Sequence, residues 1–253
     1  MTATTADLGA YLATLEKAVE QEKVYSNAKR LRAHMEFLFK GVCLKQRRML
    51  DVGGGNGLHS FYAAAMGAED VVCLEPEAAG SEEGEMNSAF HRLSASLPFG
   101  ARVKLLPITF QEFESGKGVY DIVLLHNSIN HLDEDACIRL QDDTAAQESY
   151  RKLFRKMAEI MAPSSTLIVA DCSRYNCFPL LGVKNPFAPQ IEWDKHQSPT
   201  LWAKLLCEIG FRDPQVRWTA FNRLGRIGRL FLGHQLPAYF LISHFNLTMR
   251  LAK

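Results

Sequence analysis

The stretch Met49-Leu50-Asp51-Val52-Gly53-Gly54-Gly55-Asn56-Gly57 constrains the fold of this chain more than any other. An apolar run stops at an acid, three consecutive glycines and a fourth follow, and Leu58 to Met66 then reads as a helix start. A strand that breaks in glycine and restarts as a helix is the first βα turn of a doubly wound sheet, where such sheets bind nucleotides. Glycine has no Cβ, so the backbone can approach a ligand closely, and the helix start offers unpaired N–H groups.

The spacing narrows the ligand. A dinucleotide fingerprint G-x-G-x-x-G fails in every frame, because Leu58 or Ser60 stands where the last glycine is needed. No G-x-x-x-x-G-K-[ST] phosphate loop is present either. What remains is acid-x-Gly-x-Gly-x-Gly, from Asp51 to Gly57. A second short apolar run, Val71-Val72-Cys73-Leu74, ends in Glu75, 18 residues after Gly57. A carboxylate at the tip of a second strand can accept hydrogen bonds from both vicinal hydroxyls of a ribose.

Glycine loop and acid together resemble the first two motifs of the class I S-adenosylmethionine-dependent methyltransferases, and the resemblance runs from about Arg47 to Ala252. It implies a Rossmann-like α/β fold: a three-layer α/β/α sandwich around a mostly parallel seven-stranded sheet with an antiparallel C-terminal strand. It also implies S-adenosyl-L-methionine as cofactor, held by Asp51, Gly53, Gly55 and Gly57 around its amino-acid portion and by Glu75 at its ribose. In the family an adenine-contacting segment follows strand three, often as Gly-Asp-Ala. Here Ile108-Thr109-Phe110 stands in its place, so Thr109 and Phe110, with Gln111 beside them, are the matching contacts without the usual carboxylate.

Alternation of elements supports the same layout. Leu8, Tyr11, Leu12, Leu15 and Val19, then Leu31, Met35, Leu38 and Phe39, recur at helical spacing and predict two helices between Ala6 and Phe39. Strands are expected at Arg48–Val52, Asp70–Glu75, Val103–Leu106, Tyr120–Leu125 and Thr166–Asp171. Helices are expected at Leu58–Met66, in the stretch beginning Glu83, at Thr144–Met161 and at Leu201–Ile209. Gln215–Phe221 and Ala238–Met249 are aromatic and β-branched enough to be the last two strands. Such βαβ alternation gives a parallel sheet with helices on both faces. Residues 1–46 form a helical lid segment in this reading, and 47–253 the Rossmann-like domain, with lid insertions near 172–199 and 222–237.

Composition excludes several classes. With 47% hydrophobic and 23% charged residues and a net charge of +1, the chain has no general pull toward nucleic acid. Its first residues carry acids and no apolar h-region, and no run is apolar enough to span a membrane, so a cytoplasmic address is expected. Six cysteines without a C-x-x-C pair point to reduced thiols and no metal site.

Methyl transfer from a sulfonium asks the protein for alignment and, with hydroxyl or amine acceptors, for a route by which a proton leaves. Strand four ends in Leu125-His126-Asn127-Ser128-Ile129-Asn130-His131, similar to the family's fourth motif. That resemblance sets His126 and Asn127 beside the cofactor and makes His131 and His126 candidate bases. Asp121, at the start of the strand, is read as structural. Strand five ends at Asp171, facing the acceptor side. The Pro-rich segment that follows carries Tyr175, Trp193 and His196; its length marks it as an acceptor lid, with His196 a further candidate base. Arg223, Arg226 and Arg229 recur every three residues and suit an anionic acceptor. On the N-terminal helices Tyr25, Arg30, Arg32 and His34 could face a ligand.

The expected activity is therefore methyl transfer to a small-molecule or saccharide-like acceptor, with oxygen the favoured atom, nucleic acid excluded and a homo-oligomer left open. The competing readings are N-methyl transfer, a nicotinamide-dependent oxidoreductase, and a non-catalytic cofactor-binding partner subunit. The chain lacks an Asn-Pro-Pro-aromatic tetrapeptide and a Pro-Cys nucleophile, the signatures of nucleic-acid methylation.

Overall fold

Met49, Leu50, Asp51 and Val52 are all buried in the strand they form, β1 (Arg48–Val52). Unbroken burial of this kind belongs to a parallel strand covered on both faces. In the computed structural model, which describes residues 5–25, 27–76, 83–219 and 232–252, β1 pairs in parallel with β2 (Asp70–Leu74), and β2 with β3 (Val103–Leu106). With β4 (Tyr120–His126), β5 (Met161–Cys172), β6 (Phe211–Trp218) and β7 (His244–Leu251) they make one seven-stranded sheet in the order β3-β2-β1-β4-β5-β7-β6. The expected antiparallel C-terminal strand is β7, which runs against both β5 and β6.

The chain divides into two compact units, Met1–Ser115 with Val119–Leu124, and Gly116–Gly118 with Leu125–Lys253. The first contains the helices α1 (Thr5–Gln21), α2 (Ala28–Leu38), α3 (Leu58–Ala65) and α4 (Glu83–Ser96). The N-terminal helices are built into this unit: Leu15, Val19, Leu31 and Met35 are buried, Tyr11 packs on Phe99 with ring centroids 5.1 Å apart, and Phe39 stacks on Tyr62 at 5.7 Å. Arg32 donates to both oxygens of Glu16, at 2.7 and 2.8 Å, so its guanidinium is committed to an ion pair on the helical face. Asp121 accepts from Arg47 Nη1 and from the Arg48 N–H, at 3.0 and 2.9 Å, the structural role its place at the strand start suggested.

The second unit contains α5 (Glu134–Arg139), α6 (Thr144–Ile160), α7 (Cys177–Leu180), α8 (Pro199–Ile209) and α9 (Gln235–Phe240). Asp143 caps α6 by accepting from the N–H groups of Ala145 and Ala146, at 2.8 and 3.3 Å. One face of α6 then buries Tyr150, Phe154 and Met157, and Trp202 of α8 joins them with its ring centroid 4.9 Å from that of Tyr150. Strand β6 contains Pro214 and changes register between Arg212 and Gln215, which disrupts its hydrogen-bonding edge.

Several boundaries differ from the sequence reading: β5 starts at Met161, five residues before Thr166, and β6 at Phe211, four before Gln215. The last strand starts at His244, six residues after Ala238, because Gln235–Phe240 is helical. Pro237 sits in the first turn of that helix, where a missing N–H costs nothing. The short helices α5 and α7 were not expected, since single turns held by side-chain caps leave almost no periodic signal. Among the described residues no helix is long and apolar enough to cross a membrane.

Candidate functional site

The glycine loop is fastened to the tip of β2. The N–H groups of Gly53 and Gly54 both donate to Leu74 O, at 2.8 and 3.1 Å, and Gly55 N–H donates to Glu75 Oε2 at 2.7 Å. Gly53, Gly55 and Gly57 have φ of 68°, 56° and 75°, backbone conformations that an L side chain resists. At Gly54 the requirement is close approach instead: a Cβ there would meet Cys73 Sγ at 2.5 Å and Asp51 Oδ2 at 2.9 Å. The first turn of α3 then starts at Gly57 without a side-chain cap.

Beneath the loop, Asp51 is fully buried. Its Oδ2 accepts from Ser60 Oγ at 2.7 Å, while Oδ1 has no hydrogen-bond partner among the described residues. Burial raises its carboxyl to about 7, with nearby Glu75 adding to the rise and the Ser60 hydroxyl opposing it. The same burial, reinforced by Asp51, holds the Cys73 thiol well above its ordinary value, so it stays protonated. A buried carboxylate with one vacant oxygen, under a loop that only glycine can form, fits a ligand that brings a cationic or donor group. S-adenosylmethionine, with its ammonium, is such a ligand. An ionised carboxylate accepts up to about four hydrogen bonds, so the bond from Gly55 to Glu75 is compatible with a ribose diol at the same side chain.

Beyond β3, Thr109 is occupied: its N–H and hydroxyl donate to Glu112 Oε2 at 3.0 and 2.7 Å, and Phe110 is buried. Glu112 therefore supplies a carboxylate to this turn. The sequence reading missed it because a turn closure of this kind leaves no periodic trace. On α2 and α3, the rings of His34 and His59 lie 5.9 Å apart. Burial and the neighbouring His34 lower His59 to about 3, so it is a neutral imidazole at physiological pH.

The second unit gathers a separate polar cluster. Asp171, at the end of β5 and fully buried, has Oδ1 3.0 Å from His196 Nδ1, and His196 itself is only 14% exposed. The carboxylate also accepts from the Cys172 N–H at 2.7 Å, and its buried Oδ2 has no partner among the described residues. His196 is held in place by its neighbours: Gln197 Nε2 donates to Cys137 O at 2.6 Å, and Cys137 Sγ donates to Lys195 O at 3.2 Å. Asn127, with φ of 53°, donates its N–H to Ala170 O at 2.7 Å and has Oδ1 3.1 Å from His244 Nε2. That contact makes Nε2 the protonated nitrogen of His244 and leaves its buried Nδ1 without a partner among the described residues. Burial lowers His244, so it too is neutral. The rings of His126 and His244 are 6.1 Å apart.

Of the residues singled out from sequence, this cluster contains His126, Asn127, Asp171 and His196. His131 is exposed and paired with Glu134, which Lys195 also contacts at 3.4 Å. The Tyr175 hydroxyl accepts from Gln141 Nε2 at 3.0 Å, and Trp193 lies half-buried in a single helical turn, Trp193–Lys195. Arg223, Arg226 and Arg229 lie outside the described residues. His244 was missed. An antiparallel last strand starts at the end where β5 finishes, and Cys172 pairs with His244 in the register, but the misplaced strand start hid this.

No family model matches the chain, and no curated protein sequence does. Solved structures do. A Listeria monocytogenes protein assigned as an S-adenosylmethionine-dependent methyltransferase superposes with a TM-score of 0.60 at 16% identity, covering 88% of this chain and 99% of that one. An S-adenosylmethionine-dependent methyltransferase of Mesorhizobium loti gives 0.56 at 14% identity, over 87% of this chain and 95% of its own. The [4+2]-cyclase SpnF gives 0.58 at 13% identity, over 90% and 82%. The chain has the fold of the class I S-adenosylmethionine-dependent methyltransferases.

Proposed function

We propose that the protein binds S-adenosyl-L-methionine and methylates a hydroxyl of a small-molecule acceptor, with His196 as the base. The observation that carries this reading is the His196–Asp171 pair at 3.0 Å. The bound cofactor supplies an electrophilic methyl group on a sulfonium centre. Asp51, the loop from Gly53 to Gly57, and Glu75 bind and orient it.

The rest of the chemistry is proton handling. Asp171 accepts from His196 Nδ1–H, which fixes the tautomer and leaves Nε2 with a lone pair. That nitrogen takes the proton from the acceptor hydroxyl, and the buried carboxylate stabilises the imidazolium that forms. An amine attacks through its own lone pair and needs no such base beforehand, so the pair favours oxygen. A buried His–Asp pair also separates this reading from a subunit that only binds the cofactor. Asn127 and the neutral His244 line the polar cluster as acceptor-contacting groups, and the family motif gives His126 the same side of the sheet.

Calorimetry tests the cofactor half. Micromolar S-adenosylmethionine binding is expected, and Gly55→Val and Glu75→Ala should each abolish it. A folded wild type that binds neither this cofactor nor S-adenosylhomocysteine would sink the proposal. For the base, S-adenosylhomocysteine release is measured against a panel of phenols, hydroxy acids and sugars. His196→Gln and Asp171→Asn should each lower turnover by roughly 10²–10⁴-fold with cofactor affinity unchanged. Turnover that survives both substitutions would remove His196 from the mechanism.

A further inference from the structure

Arg174 stands two positions past Cys172, the end of β5, and three past Asp171. It is half-buried. A guanidinium drawn partly out of water needs partners for five N–H donors and a full charge, and a carboxylate is the usual one. Here it makes a single long hydrogen bond among the described residues, from Nη1 to Gln197 Oε1 at 3.4 Å, and no ion pair.

The charged groups of the neighbouring elements are engaged elsewhere. Asp171 is turned to His196 and to the Cys172 N–H. Asp133, which caps α5, accepts from the Ala136 N–H at 3.0 Å and from Ser149 Oγ at 2.6 Å. Glu134 takes His131 and Lys195, and Asp143 takes the start of α6 and Arg139. Lys195, the cation next in sequence to His196, is held between Glu134 and Glu192, at 3.4 and 2.9 Å.

Gln197 fixes where the open charge sits. It is fully buried, donates to Cys137 O through Nε2 at 2.6 Å, and directly follows His196. The Asp171–His196 pair and the guanidinium are therefore set on the same two short segments, 171–174 and 196–197. A hydroxyl at His196 Nε2 and an anion at Arg174 then belong to one small molecule. A planar carboxylate matches the guanidinium fork, which a neutral phenol or sugar leaves open. A phosphate dianion would ask for a second cation, and Lys195 is already engaged.

We propose that the acceptor is a hydroxy acid, its carboxylate paired with Arg174 and its hydroxyl presented to His196. This rests on the reading of the cluster as the acceptor site. The acceptor oxygen forms a bond to the methyl carbon, the sulfur–methyl bond breaks with its electron pair kept by the neutral thioether, and the hydroxyl proton passes to His196. Calorimetry on the full chain, with and without S-adenosylhomocysteine, compares ortho-, meta- and para-hydroxybenzoate and mandelate with the corresponding amides. At least one acid should bind roughly tenfold or more tightly than its amide, less so at high salt. Arg174→Gln should erase that preference, weakening the acid by roughly 10- to 100-fold. Arg174→Lys, which keeps the charge without the fork, should fall between. An unchanged urea midpoint in both variants shows that the fold is intact. Acid and amide bound alike, no acid bound at all, or a preference that survives Arg174→Gln overturns the proposal. Acid binding that needs Arg174 but gives no methyl transfer upholds the anion site and removes His196 as the base. Methyl transfer to neutral acceptors with no preference for acids upholds the base and overturns the hydroxy acid.

Discussion

Asp51 carries the sharpest pH prediction because burial raises its carboxyl to about 7 in the folded chain. A raised carboxyl pKa means that the folded state holds a proton the unfolded state has lost. Its stabilising contribution is therefore complete below about pH 4 and disappears as the pH climbs to about 7. Asp51→Asn should flatten that part of the profile in urea unfolding across pH 4 to 8. A cationic ligand group at Oδ1 reverses the preference and favours the carboxylate. The dissociation constant for S-adenosylmethionine should then fall by up to about tenfold per pH unit below 7 and level off above it. Calorimetry in buffers of different ionisation enthalpy would detect the released proton, and a pH-independent affinity would refute the role. Gly57 makes a second prediction at this scale. A Cβ there lies 2.5 Å from the Phe90 ring on backbone of φ 75°, so Gly57→Ala should cost about 2–4 kcal/mol in urea unfolding.

Within the elements, short turns and caps position the polar groups. The Tyr150 hydroxyl of α6 lies 3.0–3.2 Å from the carbonyls of Ile129, Asn130 and Asp133, and pins the turn after β4. Tyr150→Phe should cost about 1–3 kcal/mol in chemical denaturation, the penalty for leaving buried carbonyls poorly satisfied. Gln197 does the same for the segment bearing His196. Gln197→Ala should lower turnover while leaving cofactor affinity alone, a split that steady-state kinetics and calorimetry together would reveal. The sequence periodicity marked α6, α8 and the parallel strands to within a few residues, because each buries a long apolar stripe. The helices α5 and α7 had no such stripe, and α9 carries Tyr239 and Phe240, whose aromatic character resembled a strand. That one misreading moved the start of β7 and concealed His244.

Across the whole molecule, burial sorts the cysteines. Cys43 is exposed, whereas Cys73, Cys137 and Cys172 are buried and their thiols are all held above their ordinary values, Cys137 at about 12. Titration of the native protein with a thiol reagent should modify Cys43 first. The three buried cysteines should react only at the global unfolding rate, and early labelling of Cys137 by mass spectrometry would contradict the packing around His196.

The sequence alone determined the order of the seven strands and of the long helices, the glycine loop and the acid at the tip of β2. Each of these is local: a hydrophobic period, or a backbone conformation only glycine adopts. Tertiary structure decided which titratable groups meet. Asp171 and His196 are 25 residues apart, and Asn127 and His244 are 117 apart. Nothing in the local sequence encodes such pairings, because they depend on strand register and on where a loop crosses the sheet's end. The glycine loop was legible because its geometry resides in contiguous backbone, whereas the polar cluster of β4, β5 and β7 exists only once distant strand ends are brought together.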